Sequence, residues 1–275
     1  MKQIDMGNFR IGGNAGFILI AGPCVLENYE GAMDIAQYLQ KLTASLNIPF
    51  IFKASYDKAN RTSINSYRGP GVKEGLAILK SIKDKLGIPV LSDVHRFEEI
   101  EAAASILDIL QVPAFLCRQT DFIIEMAKKS RVINIKKGQF LAPGDVANII
   151  AKVKSAGNEN IMLTERGVSF GYNNLVFDVR SLPIMREMGY PVIFDATHAV
   201  QLPGGAGTAS GGERDMVPFL ARAAVAAGVD GIFLEVHRNP QAALCDGANS
   251  LYLDSLAELL PTLKRIDKAV NQAEK

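Results

Sequence analysis

Three cationic side chains stand where apolar runs of this chain give way to polar residues. Lys53 and Lys136 are the last residues of their runs, and Arg166 follows directly after a third run. An ammonium group in a buried strand is costly without an anion, and arginine presents a planar fork that fits a carboxylate or a phosphate. We therefore predict that the three side chains converge on one multiply charged anion. A structural ion pair between Arg166 and Glu165 is the alternative.

The segment that begins at Lys53 strengthens this prediction. Residues 53–63 read KASYDKANRTS and contain three cations and several small hydrogen-bonding side chains. Directly after a buried strand, this composition favours an anionic ligand. A charged, solvated surface loop is the alternative interpretation.

Candidate metal ligands also stand at strand ends. Cys24 follows the first apolar run, His198 follows the seventh, Glu235 ends the eighth, and Asp246 lies in the loop beyond. Thiolate, imidazole and carboxylate groups suit zinc or ferrous iron. No two of these residues form a compact motif, however, and a lone cysteine is more often a small buried hydrophobe. The residues alone leave both interpretations open.

Other polar features predict less chemistry. Cys117 and Cys245 have no CxxC partner and are interpreted as core or loop thiols. His95 and His237 follow strands, as His198 does, so composition alone does not choose among the three histidines. The glycine-rich segment 202–212 lacks the Gly-Lys-Ser/Thr sequence of a phosphate-binding P-loop. We predict that it is a mobile lid, which would help to exclude water.

The charge balance excludes some classes of partner. The chain has 30 Lys and Arg residues against 29 Asp and Glu residues, so we expect neither nucleic acid nor a membrane surface as a partner. Three scattered cysteines do not make a disulfide framework. Because residues 1–16 lack the apolar core of an export signal and no apolar run reaches the length of a membrane helix, we expect a cytoplasmic protein.

The elements that must position these side chains follow a regular rhythm. Eight short apolar runs, rich in β-branched residues, alternate with segments whose apolar residues recur every three or four positions. Continuously apolar strands are typical of parallel sheets covered by helices. The runs are Phe17–Ala21, Phe50–Lys53, Val90–Asp93, Ile109–Gln111, Val132–Lys136, Ile161–Glu165, Val192–Asp195 and Gly231–Glu235.

Eight such units predict an α/β chain folded as a single-domain (β/α)₈ TIM barrel. We predict a short N-terminal β-hairpin in residues 1–16, a catalytic barrel domain in residues 17–275, and a last helix over roughly 249–274. A doubly wound open sheet is the alternative, but no Gly-x-Gly-x-x-Gly follows the first strand and polar residues end nearly every strand.

Several longer motifs resemble one enzyme family, the 3-deoxy-D-manno-octulosonate 8-phosphate synthases. They cover most of the chain in the expected order. The motifs are AGPC at 21–24, FKASYDKANRTS at 52–63, QVPAFLCRQTD at 111–121, NIKKGQFLAP at 134–143, TERGVSFGYNNLV at 164–176 and FDATHAVQLPGG at 194–205.

The resemblance implies a homotetrameric barrel enzyme of lipopolysaccharide biosynthesis, which condenses phosphoenolpyruvate with D-arabinose 5-phosphate and water. Matching motif to motif, phosphoenolpyruvate would be bound by Lys53, Ser55, Lys58, Gln111, Ala114, Lys136 and Arg166. Arabinose 5-phosphate would contact Asn60, Arg61, Thr62, Asp93, Phe115, Gln201 and Ser210, and Arg118 would reach the sugar phosphate of a neighbouring subunit.

The family is divided by the residue after Gly-Pro, which is cysteine in members that depend on a metal and asparagine in those that do not. Cys24 places this chain in the metal-dependent group. The resemblance therefore implies a divalent ion (Zn²⁺, Fe²⁺ or Mn²⁺) held by Cys24, His198, Glu235 and Asp246, which with Lys136 would be the catalytic residues. The sequence Cys245-Asp246-Gly247 is similar to the corresponding loop of the metal-independent group.

Overall fold

Parallel strands form one closed sheet in the computed structural model, which describes residues 1–13, 15–205, 207 and 210–273. The barrel strands of this described part are β1 (Ile18–Gly22), β2 (Phe50–Lys53), β3 (Val90–Asp93), β4 (Ile109–Val112), β5 (Val132–Lys136), β6 (Ile161–Glu165), β7 (Val192–Asp195) and β8 (Gly231–His237). Each pairs with the next, and β8 also pairs with β1. The predicted (β/α)₈ barrel is confirmed, and the open sheet is wrong.

Side chains alternate along each strand between the barrel interior and the surrounding helices. In the half of the interior nearer the strand starts, Ile51 and Leu91 belong to one buried apolar cluster. Two residues further along their strands, Lys53 and Asp93 are the next inward-facing residues, and both are buried. The alternation therefore places packing residues at one end of the barrel and polar residues at the other.

An outer layer of helices covers the sheet, and its apolar faces form the main core with the outward-facing strand residues. The helices are α1 (Tyr29–Ser45), α2 (Val72–Leu86), α3 (Phe97–Ala104), α4 (Thr120–Lys129), α5 (Val146–Ser155), α6 (Ser181–Arg186), α7 (Val217–Ala226) and α8 (Leu256–Ala273). α1 begins after Asn28, whose Oδ1 accepts from the N–H of Gly31 at 2.7 Å. In the described part of the chain, no helix is long and apolar enough to cross a membrane.

The N-terminal residues cover the opposite end of the barrel from the polar strand ends. Ile4–Asp5 and Arg10–Ile11 pair as antiparallel strands. Ile4 and Ile11 are buried in the same apolar cluster as the barrel interior. The division of the chain into a hairpin and a barrel domain at residue 16 stays a prediction.

The last helix starts later than the sequence predicted. α8 begins at Leu256 instead of near Asn249. The N–H of Asn249 donates to the carbonyl of Asp246, and Leu251–Tyr252 pairs in parallel with the end of β8. Because strand pairing needs extended backbone, the helix begins only after it ends. Glu274, the predicted end, lies outside the described residues.

The predicted lid contains a short hairpin after β7. Gln201–Leu202 pairs antiparallel with Gly211–Gly212. Of the segment between them, Ala206, Thr208 and Ala209 lie outside the described residues. The lid role stays a prediction.

Candidate active site and metal centre

The carboxyl ends of the barrel strands and the loops after them enclose a cavity of about 190 Å³. Most of the residues predicted to bind substrate or metal line this cavity. They are Lys53, Lys58, Asn60, Arg61, Thr62, Asp93, Gln111, Ala114, Phe115, Lys136, Arg166, His198, Gln201, Ser210 and Asp246. The fold thus brings together side chains from many separate strand ends.

Four other predicted residues lie outside the cavity wall. Ser55 accepts a hydrogen bond from Lys53 directly behind the wall. Cys24 and Glu235 are buried beside the cavity, within 3.4 Å of Asp246 and 3.7 Å of Lys58 respectively. Arg118 is exposed and does not line the cavity of its own chain.

Cationic groups crowd one side of the cavity. Lys53, Lys136 and Arg166 are buried, each with at most 6% of its surface exposed. Burial lowers the pKa of Lys136, and repulsion from Lys53 and Arg166 adds to this effect despite the attraction of Asp195. A bound anion would relieve this repulsion, so the arrangement favours a multiply charged anionic ligand.

The guanidinium group of Arg166 faces the cavity. It donates to Oε1 of Gln201 at 3.0 Å and to the carbonyl of His198 at 3.5 Å. Glu165 instead accepts from the backbone N–H of Arg166 at 2.9 Å, and its carboxylate lies 3.5 Å from Nζ of Lys137. The alternative ion pair between the Arg166 and Glu165 side chains is therefore not the one formed.

A hydrogen-bonded chain holds the ammonium group of Lys53 in place. Lys53 donates to Oγ of Ser55 at 2.9 Å, and Ser55 donates to Oδ1 of Asp93 at 2.6 Å. The other Asp93 oxygen lies 3.0 Å from Nε2 of His95. Burial alone would raise the pKa of Asp93, but Lys53, His95 and Lys58 together hold it well below its usual range. Asp93 is thus a carboxylate that fixes both Ser55 and Lys53.

A second carboxylate, Asp195, joins a lysine to a histidine. Nζ of Lys136 donates to Oδ2 of Asp195, and Nδ1 of His198 lies 2.8 Å from the same oxygen. Asp195 is fully buried, which would raise its pKa, but His198 and Lys136 hold that pKa well below its usual range. With Nδ1 bound to a carboxylate, the imidazole is oriented so that Nε2 remains available as a metal ligand.

Two other predicted metal ligands lie near that imidazole nitrogen, and Cys24 adjoins one of them. Nε2 of His198 lies 3.7 Å from Oε1 of Glu235 and 3.6 Å from Oδ2 of Asp246. Sγ of Cys24 lies 3.4 Å from the same Asp246 oxygen. In the described structure, Oε2 of Glu235 is buried without a hydrogen-bond partner, a costly arrangement that a cation would relieve. These sulfur, nitrogen and oxygen donors fit zinc or ferrous iron.

Burial affects the protonation of the same ligands. Burial raises the pKa of the Cys24 thiol, and Cys245 and Asp246 raise it further. Burial would also raise the pKa of Asp246, but hydrogen bonding and attraction from His198 lower it far below its usual value. Asp246 is therefore a carboxylate in the protein alone, whereas Cys24 needs a cation to become a thiolate.

Cys245 lies in the site, and its interpretation as a core or loop thiol without chemistry is incomplete. Its Sγ is 3.0 Å from Sγ of Cys24, a residue 221 positions earlier in the chain. The ligand atoms of Cys24, Cys245 and Asp246 lie within 4.8 Å of one another. Arg61 also donates to the Cys245 sulfur. Cys117, in contrast, is buried in the main core, as expected.

Residue types and spacing alone indicated no role for Asp195 and did not choose among the histidines, whereas the family resemblance implied His198. Asp195 ends an apolar strand, as Lys53 does, and a buried carboxylate requires cationic partners, so this signal was present in the sequence. His95 lines the cavity together with His198. His237 does not line it, and its Nε2 lies 3.6 Å from Glu27 instead.

Comparison with known proteins agrees with the motifs. Residues 2–272 match the model of the DAHP synthetase I family. Proteins named 2-dehydro-3-deoxyphosphooctonate aldolase from Geotalea daltonii, Geobacter sp. (strain M21) and Pelobacter propionicus are 60%, 61% and 61% identical to this chain, over 98% of the chain and 99% of each relative. These matches confirm the resemblance to the octulosonate phosphate synthases. The chain belongs to the DAHP synthetase I family.

Proposed function

We propose that this protein condenses phosphoenolpyruvate with D-arabinose 5-phosphate and water. The products are 3-deoxy-D-manno-octulosonate 8-phosphate and inorganic phosphate, in lipopolysaccharide biosynthesis. The names of the relatives support this reaction. The observation that carries it is the group of buried cations, Lys53, Lys136 and Arg166, which line one cavity and repel one another. Such a cavity fits a substrate that carries both a carboxylate and a phosphate.

The deeper part of the cavity is proposed to bind phosphoenolpyruvate. Its cations come from separate strand ends, and the backbone and small side chains around them can orient the planar substrate. The proposed residues are Lys53, Ser55, Lys58, Gln111, Ala114, Lys136 and Arg166. Ser55 acts from behind the wall by fixing the ammonium group of Lys53.

The outer part is proposed to bind the sugar phosphate. The proposed residues are Asn60, Arg61, Thr62, Asp93, Phe115, Gln201 and Ser210, all of which line the cavity. Arg61 supplies the cation for the second phosphate group. Gln201 already accepts from Arg166, so it lies between the two substrate regions.

In the proposed reaction, C3 of phosphoenolpyruvate forms a carbon–carbon bond with the aldehyde carbon of the sugar. Water then adds at C2, and the bond between C2 and the phosphate oxygen breaks to release phosphate. The lysines and Arg166 position the substrate and stabilise negative charge on the carboxylate and on the departing phosphate. Lys136, whose pKa is lowered by burial, is suited to exchange a proton near His198, since Nζ lies 3.4 Å from Nδ1 of that histidine.

Cys24, His198, Glu235 and Asp246 are proposed to hold a divalent ion, and they complete the catalytic set with Lys136. A bound Zn²⁺, Fe²⁺ or Mn²⁺ would polarise the aldehyde oxygen or activate water. Asp195 keeps His198 oriented for this role through its hydrogen bond to Nδ1.

Assembly and location are part of the same proposal. We propose a homotetramer in which Arg118 reaches the sugar phosphate bound by a neighbouring subunit. Large apolar side chains that remain exposed on one chain support assembly, among them Phe115 (54%), Phe170 (73%) and Phe219 (58%). The free thiols of Cys24 and Cys245, only 3.0 Å apart, fit the reducing cytoplasm.

The test is release of inorganic phosphate from phosphoenolpyruvate. We expect release with arabinose 5-phosphate and little with erythrose 4-phosphate, and the reverse preference would overturn the proposed substrate. Lys136→Met should abolish release, whereas Lys80→Met, at an exposed lysine, should not. Dialysis against a chelator should remove activity, and Zn²⁺, Fe²⁺ or Mn²⁺ should restore it. Full activity in protein that contains no metal would refute the metal role and leave the condensation intact.

A further inference from the structure

A second thiol stands at the proposed metal centre. Sγ of Cys245 lies 3.0 Å from Sγ of Cys24, and both side chains are at least 95% buried. Cys24, Cys245 and Asp246 form one group of candidate ligands, and His198, Glu235 and Asp246 form another. Asp246 is common to both groups, so the second sulfur adjoins the same centre.

The backbone around Cys245 is held in a special conformation. Asp246 has φ = 46°, in the left-handed region that residues with a side chain rarely adopt. The carbonyl of Asp246 accepts from the N–H groups of Asn249 and Ser250, each at 3.0 Å. Gly247 follows, and a Cβ atom there would lie 2.2 Å from the carbonyl oxygen of Pro240. Such backbone strain persists only where the surrounding structure enforces it. The loop is therefore held in one conformation, which keeps the side chains of Cys245 and Asp246 beside the site.

A cationic side chain also contacts Cys245. Arg61 donates a hydrogen bond to its sulfur. Ordinary packing does not need a cation at this position. The ligand atoms of the two thiols and the carboxylate lie within 4.8 Å of one another, and such a sulfur-containing donor set suits soft divalent ions.

We propose that Cys245 is a further metal ligand, which together with Cys24 gives the centre two sulfur donors. The inference rests on the divalent ion of the proposed function. Two thiolates favour soft ions, so the site selects Zn²⁺ or Fe²⁺ over Mn²⁺.

The number of sulfur atoms bound to zinc tests this proposal directly. X-ray absorption at the zinc edge, on the full-length protein loaded with Zn²⁺, should give two sulfur neighbours per ion. Cys245→Ser and Cys24→Ser should each reduce this number to one sulfur neighbour per ion. Cys117→Ser is the matched control, because Cys117 is buried in the main core, and it should keep two sulfur neighbours per ion. One sulfur neighbour per zinc ion in the unmodified protein would overturn the proposal, and that measurement does not depend on whether any variant folds.

A competition experiment measures the selectivity. Cys245→Ser should weaken Zn²⁺ binding by at least about tenfold, the lower bound for loss of even an outer-shell partner of a metal site, and should change Mn²⁺ binding less. Equal weakening of both ions, or none, would overturn the claim that Cys245 sets the preference. If the unmodified protein bound no Zn²⁺, the proposed metal centre would be refuted. Phosphate release in the absence of metal would then support the proposed condensation reaction without a metal role.

Discussion

Replacing Asp195 by asparagine should damage stability and activity together. The carboxylate is fully buried, and its two oxygens bind Lys136, His198 and the hydroxyl of Thr197. Removing one partner of a buried ion pair costs about 3–5 kcal/mol, because the other charge is left unpaired. The asparagine oxygen still accepts hydrogen bonds, so we expect the lower end, about 3 kcal/mol. In a chain of this size, such a loss lowers Tm by roughly 6–12 °C.

The pH dependence gives a second check on the same reasoning. Burial raises the pKa of Asp195, but His198 and Lys136 hold it well below its usual value. A carboxyl group whose pKa is lowered in the folded state stabilises the protein above its unfolded pKa, near 3.9, and this contribution is lost as the pH falls further. The Tm difference between wild type and Asp195→Asn should therefore stay constant from about pH 5 to 7 and narrow below about pH 4.

Thermal unfolding and phosphate release are the assays. Asp84→Asn is the matched control, since Asp84 pairs with Lys80 on an exposed helix face and should lose no more than about 0.5 kcal/mol. The double variant Asp195→Asn with Lys136→Met should be more stable than the sum of the single losses predicts, because no unpaired lysine remains. Additive losses, or a Tm change equal to that of the control, would refute the ion-pair argument.

Three further changes probe the barrel and the site. Gly22→Ala would place a Cβ atom 2.0 Å from a backbone carbonyl oxygen of the next strand. We therefore expect its free energy of unfolding to fall by about 3 kcal/mol, or the variant not to fold. Gly144→Ala is the control, because its Cβ atom would have no neighbour within 4 Å, and it should unfold at nearly the wild-type temperature. Arg166→Lys should weaken binding of phosphoenolpyruvate by about 10–100-fold, because lysine cannot form the planar fork; an unchanged KM would contradict that role. Tyr56→Phe should lower the free energy of unfolding, measured with denaturant, by about 1.5–3 kcal/mol, since the buried hydroxyl donates to the Glu99 carboxylate at 3.1 Å. A decrease below about 0.5 kcal/mol would show that this hydrogen bond contributes little.

The barrel strands could be located from the sequence because their signal is local. A parallel strand covered on both faces reads as a short apolar run, and the polar residue that ends it marks the functional end of the barrel. The start of the last helix could not be located in this way. Residues 249–255 look compatible with a helix, but pairing with the end of β8 keeps Leu251–Tyr252 extended, and a short 3₁₀ helix at Leu253–Ser255 precedes α8.

By itself, the sequence determined the fold class, the cations at the strand ends and the family, because these depend on residue types and spacings within single segments. Only the tertiary structure decided which distant groups meet. It placed Asp195 between Lys136 and His198, and it placed Cys245 against Cys24 although 221 positions separate them. Such contacts follow from closure of the barrel, which brings every strand end to one cavity, and no local pattern in the chain encodes that meeting point.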